Sequence, residues 1–142
     1  AADLYLSQGW ILYICCAIAY QAAVPYRDAK EAALSIGLYG ATKACLERMT
    51  AGLAAELNAA SIAVNSLAPV AAVLTPGALA VGVIPDAYKA SAEPVECMAE
   101  AALALCEPVE PMITGRILYS TPFLEELGRA ARTLDGCAVH GA

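Results

Sequence analysis

The stretch LYGATKACLERMTAGLAAELNAASIAVNSLAP, Leu38 to Pro69, decides the fold. Its first part, to about Leu57, repeats apolar residues at three- and four-residue steps, Leu46, Met49, Leu53 and Leu57, which predicts one helix with that stripe buried. Small residues fill much of the remainder (Gly40, Ala41, Ala44, Ala51, Gly52, Ala54, Ala55), so the helix is expected to lie close against a neighbour. Ile62 to Leu67 then reads as a short β-branched strand closed by Pro69.

Upstream, WILYICC, Trp10 to Cys16, is apolar on both faces, as a strand inside a covered parallel sheet must be. Strand, long helix, strand is the βαβ unit, because parallel neighbours need a long crossover. Between them, residues 21 to 37 form a long connection. Downstream, 70–92 reads as an irregular, partly helical excursion. A helix follows from Pro94 to about Cys106, with Val95, Met98, Ala102 and Leu105 as its buried stripe, then a third strand at Gly115 to Ser120. A frayed tail is expected from about 136 to 142. The whole is one α/β domain.

Composition narrows the function classes. Net charge is −6 with eight Lys and Arg and no basic cluster, which excludes a nucleic-acid-binding face. The longest apolar run, Trp10 to Tyr20, is too short to span a bilayer. Asp3 stands where a secretory leader would be basic, so a cytoplasmic location is the expectation. The six cysteines show no Cys-x-x-Cys and the single histidine, His140, lies in the tail, so no metal ligand set emerges and the thiols are expected to be free and buried. Trp10, the methionines and Phe123 read as packing, Asn65 as a backbone tie, and Arg116, Arg129 and Arg132 as solvent-facing.

Tyr-x-x-x-Lys occurs twice, as Tyr26 with Lys30 and as Tyr39 with Lys43. On a helix the two side chains share a face, and an ammonium beside a phenol favours phenolate and draws its pKa toward neutrality, where it can move protons. Tyr26 follows Pro25 and precedes Arg27 and Asp28 inside the connection, whereas Tyr39 opens the best-defined helix, which favours Tyr39 and Lys43.

With YGATKACLERMTAGLAAEL followed by IAVNSLAPVAAVLTPG, the EPVECMAEAALALC helix and GRILYS in that order, the chain from Gly9 to Gly136 resembles the short-chain dehydrogenases/reductases. The resemblance implies the C-terminal part of a Rossmann-type doubly wound parallel sheet, with three strands and long crossover helices, and hydride transfer between NAD or NADP and an alcohol or ketone. Tyr39 would be the acid/base, and Lys43 its partner that also holds the nicotinamide ribose. Pro69, Val70 and Thr75 would line the nicotinamide, and 70–92 would shape the substrate pocket. Cys16 stands where the family places the serine that hydrogen-bonds the substrate oxygen.

Three departures follow. A thiol is a weaker donor than a hydroxyl, and the connection from Cys16 to Tyr39 is longer than the family's. Pro-Gly beside the cofactor is Pro69-Val70 here, with one extra residue before Thr75. No Gly-rich turn or ribose-binding acid is present, so binding of NAD or NADP and turnover by this chain alone are expected to be impaired. The alternative is a non-catalytic remnant that forms a homodimer, or pairs with an intact relative, through the 38–57 helix. A reactive thiol at Cys15 and Cys16 is disfavoured by their apolar strand.

Overall fold

The computed structural model describes residues 8–19, 36–82, 84 and 86–140. The residues that carry Tyr26 and Lys30 lie outside these. Three strands, β1 (Gly9–Ile14), β2 (Ile62–Ala68) and β3 (Ile117–Tyr119), form a parallel sheet in the order β1-β2-β3. Helix α1 (Ile36–Leu57) connects β1 to β2. The return from β2 to β3 passes through two short helices, α2 (Pro76–Val81) and α3 (Asp86–Lys89), and then α4 (Val95–Leu105). Helix α5 (Ser120–Leu127) follows β3 without a loop.

β2 is the centre of this arrangement. It pairs with β1 from Gly9↔Ile62 to Ile14↔Leu67 and with β3 from Ser66↔Ile117 to Ala68↔Tyr119, and every residue from Ala63 to Ala68 is buried. Successive strand residues point to opposite faces. Leu67 joins Ala101, Ala104, Leu105, Leu118, Phe123 and Leu124 in a core under α4 and α5. On the other face, the Cys15 thiol lies beside Ser66 and reaches the Lys43 carbonyl and the Glu47 carboxylate of α1. The two faces are therefore covered by α1 on one side and by α4 with α5 on the other.

Helix α1 is rich in Ala, Leu, Glu and Met, all good helix formers. It ends in a 3₁₀ turn over Asn58–Ala60, and Ser61 enters the left-handed region at φ 56° before β2 begins. The face it buries shares the half-buried Leu46, Leu53 and Leu57 with the expected stripe and departs from it at one position. Thr50 and Ala54 are buried, while Met49 is 43% exposed. Small side chains let the helix approach β2 closely, and Thr50 satisfies its hydroxyl by donating to the Leu46 carbonyl at 2.9 Å.

Within β2, Asn65 ties neighbouring backbone together as expected. Its Nδ2 donates to the Ile113 carbonyl at 2.8 Å and its Oδ1 accepts from the Arg116 N–H at 3.1 Å. Gly115, at φ 75°, turns the chain so that its N–H reaches the Val64 carbonyl at 2.8 Å. A Cβ there would lie 3.4 Å from that of Ala54.

Arg116 and Arg132 keep much of their side chains in solvent, as expected, while Arg129 is drawn inward. Glu100, on α4, is 6% exposed, and two arginines reach it. Arg129 Nε donates to it at 2.5 Å, and Arg132 Nε and Nη2 do so at 3.2 and 3.1 Å. Arg129 also grips Glu107 with both Nη atoms, and Arg116 grips Glu126 in the same way. The Arg129 and Arg132 pairs close the C-terminal segment over the end of α4, while Arg116 ties the entry of β3 to α5. Residues 131–140, the start of the expected frayed tail included, are tied back by an Arg132↔Val139 bridge and by the His140 N–H to the Ala131 carbonyl at 2.9 Å.

Candidate active site

The candidate site forms at the carboxyl ends of β1 and β2, the edge at which open α/β sheets receive ligands. β1 stops at Ile14, and the Cys15 N–H still donates to the Leu67 carbonyl at 2.8 Å before the chain turns through Ala17–Ala19. That turn leaves Cys15 buried and Cys16 half-buried at the mouth of the sheet.

Tyr39 and Lys43 lie one turn apart near the start of α1. Lys43 Nζ sits 5.6 Å from the centre of the Tyr39 ring, and it donates to the Ile14 carbonyl at 3.0 Å. The same lysine therefore joins the end of β1 to the tyrosine. Among the described residues its other two N–H donors have no partner. Thr42 closes the turn, its hydroxyl donating to the Tyr39 carbonyl at 2.7 Å. Tyr39 is 48% exposed, so its phenol is open to a ligand, and Cys16 is beside it.

The phenol does not behave as the sequence suggests. Burial first, then the neighbouring Cys16 and Cys15, push Tyr39 above its ordinary value, with no lowering by Lys43. The lysine stands over the ring and commits a donor to the Ile14 carbonyl. Burial also pushes the Cys15 thiol up, which keeps it protonated and unreactive. The thiols are free but not uniformly buried: Cys45, Cys106 and Cys137 are exposed.

Pro69 leaves β2 and carries the chain past the same edge. Val70 is 47% exposed. Thr75 caps α2, its Oγ1 accepting from the Ala78 N–H at 3.2 Å, which leaves the hydroxyl proton available to a ligand. The segment between them is held by a residue that no spacing announces. Glu93, 6% exposed, accepts from the Val70 N–H at 2.9 Å through Oε2. Its Oε1 accepts from Thr121 Oγ1 at 2.7 Å and from Ser120 Oγ, and its N–H donates to the Ala72 carbonyl at 2.8 Å. The excursion beyond Thr75 encloses a cavity of about 270 Å³ lined by Leu79, Ile84, Asp86 and Lys89 among others.

Among the described residues no group of three His, Cys, Asp or Glu side chains converges as metal ligands, and no helix is long and apolar enough to cross a membrane.

No family model and no curated protein matches the chain. Solved structures do. A short-chain dehydrogenase/reductase family protein is 30% identical over 80% of this chain and 44% of its own, with a TM-score of 0.60. The 3-ketoacyl-(acyl-carrier-protein) reductase of Brucella melitensis, complexed with NADH, is 30% identical over 79% of this chain and 42% of its own, with a TM-score of 0.58. The gluconate 5-dehydrogenase of Burkholderia cenocepacia, in complex with NADP and tartrate, shares the fold at 23% identity and a TM-score of 0.63, over 85% of this chain and 46% of its own. The chain thus spans less than half the length of the solved structures it matches. Its parallel sheet with helical crossovers, together with these likenesses, places the chain in the short-chain dehydrogenase/reductase family.

Proposed function

We propose that this chain is the catalytic part of an NAD(P)-dependent oxidoreductase that interconverts a small-molecule alcohol and its ketone. The observation that carries the reading is the convergence of Tyr39, Lys43 and Cys16 at the carboxyl edge of the sheet, with Lys43 Nζ 5.6 Å from the tyrosine ring. The half-exposed phenol, the two open donors of Lys43 and the uncommitted proton of Thr75 fit the nicotinamide end of the cofactor. Lys43 would hold the ribose, and Pro69, Val70 and Thr75 would line the ring.

The bound nicotinamide would supply or receive the hydride. The chain's own residues handle the proton. With its pKa raised, Tyr39 holds its proton at neutral pH, so it serves as the acid that protonates the oxygen of a ketone being reduced. Cys16 donates its S–H to that same oxygen, more weakly than a hydroxyl would. In the reverse direction the deprotonated Tyr39 accepts the proton of the alcohol.

Titrating NADH and NADPH into the purified chain tests the reading, followed by assay of Tyr39→Phe in a preparation with turnover. Weak but saturable binding is expected, with turnover lost at least a hundredfold in Tyr39→Phe while binding and helicity persist. No saturable binding, or full turnover without the hydroxyl, refutes it.

A second reading is a pairing module. Ala41, Ala44, Ala51 and Ala55 of α1 are all exposed, a surface of small residues on which a second copy or an intact relative could lie. A monomer at high concentration in size-exclusion chromatography rules it out.

A further inference from the structure

Glu93 is a carboxylate that the proton chemistry leaves unused and the fold nevertheless buries. Removing a charge from water costs several kcal/mol unless hydrogen bonds compensate, and an apolar side chain could fill the same space. What the carboxylate adds is direction. It receives the N–H of Val70 at 2.9 Å through one oxygen and the hydroxyls of Thr121 and Ser120 through the other. Its own N–H holds the Ala72 carbonyl at 2.8 Å, and its backbone bridges in parallel with that of Val73. One residue therefore pins both ends of the turn from Val70 to Val73 and locks it to the start of α5. Pro69 sets this up: once it ends β2, the sheet ladder no longer satisfies the Val70 N–H, and Glu93 takes that place.

We propose that Glu93 is a positioning residue that holds the Pro69–Val73 segment in the shape that receives the nicotinamide end of NAD(P), acting through the Val70 amide. The proposal rests on the oxidoreductase reading. Val70 brings a side chain to the place where the family has glycine, and the extra residue before Thr75 lengthens the segment. Both make a fixed backbone more important to cofactor access. The tie to Ser120 and Thr121 also makes the seating of α5 a determinant of the same segment.

Hydrogen exchange at the Val70 amide and NADH titration of the full chain test this together, in the unaltered protein, Glu93→Ala and Glu93→Gln. Loss of a hydrogen bond to a charged acceptor predicts exchange at Val70 faster by about tenfold or more in Glu93→Ala. NADH affinity is expected to fall about tenfold alongside it. Glu93→Gln, which keeps an acceptor for the amide while the two hydroxyls reverse their role, is expected to restore most of both. Arg129→Met, which weakens the fold away from the segment, is expected to leave NADH affinity unchanged, and an equal loss there overturns the proposal by showing a general effect of stability. Should Glu93→Ala fail to fold, Thr121→Val removes one of the three donors and is expected to raise Val70 exchange by a smaller factor; unchanged exchange overturns the proposal. Binding by the unaltered chain that Glu93→Ala leaves intact, with Val70 still protected, overturns the positioning role alone. Absence of saturable binding by the unaltered chain overturns the oxidoreductase reading, and the cofactor role of Glu93 with it.

Discussion

Replacing Arg129 by Met keeps the aliphatic stem and removes the guanidinium. Glu100, 6% exposed, then loses the donor at 2.5 Å and keeps only the longer bonds from Arg132 at 3.1 and 3.2 Å. A hydrogen bond to a buried charged group contributes about 1.5–3 kcal/mol. The second pair, to Glu107, adds less than about 1 kcal/mol because solvent screens it; the Glu107 side chain is 42% exposed. The expected loss is about 2 kcal/mol, or about 6 °C in Tm for a chain of this size. Urea unfolding followed by circular dichroism measures it.

The pH dependence of that loss is a second readout. Arg132 first, and then Arg129, hold the Glu100 carboxyl below its ordinary 4.5 against the opposing effect of burial. A carboxyl with a lowered folded value contributes stability that is fully present above the unfolded value and is lost as pH falls through the folded one. The deficit of Arg129→Met is therefore largest at neutral pH and shrinks on acidification below 4.5. A deficit under about 0.5 kcal/mol at pH 7, or one that persists unchanged in acid, refutes the assignment of a buried, paired carboxylate.

Three further outcomes are expected. Cys16→Ser, which installs a stronger donor beside Tyr39, should raise kcat for ketone reduction by about tenfold, and an unchanged or lower kcat would show that the thiol does not reach the substrate oxygen. The rate of reduction should hold through neutral pH and fall only above about 10, where the raised phenol at last ionises; a fall near pH 7 would show that Lys43 controls the phenol after all. Asn65→Leu should cost about 2–4 kcal/mol in urea unfolding, because the Ile113 carbonyl and the Arg116 N–H lose their partner inside the protein, and a loss below about 1 kcal/mol would mean that water replaces the amide.

What the sequence disclosed was local, and what it concealed depended on partners far along the chain. The β-branched run at Ile62 and the helical periodicity before it place β2 and α1 correctly, as does the apolar run before Cys15 for β1, because each is a pattern within one element. Met49 on α1 was misplaced because closeness to β2 selects Thr50 and Ala54, which are small, over Met49, which is bulky. Helix α5 escaped notice although Pro122 stands in its first turn and Gly128, at φ 62°, caps it, since Tyr119 passes directly from strand to helix. The turn-spaced pair Tyr39 and Lys43 was legible, but the direction of the tyrosine's pKa was not, because it follows first from burial and then from Cys16, 23 residues before it. Glu93 gave no signal: its side-chain partners stand 23, 27 and 28 residues away. Arg129 read as a surface charge for the same reason, with Glu100 lying 29 residues before it.

The central place of β2 also sets a timetable for synthesis. Its N–H at Val64 waits for the Thr114 hydroxyl, 50 residues later, and its Leu67 side chain waits for Phe123 and Leu124. While a ribosome is still making those segments, the Leu67 face of β2 lacks part of its cover for several seconds at ordinary elongation rates of about 5–20 residues per second. Cooperative closure comes late, which makes the emerging chain a client for chaperones well before it can meet a cofactor.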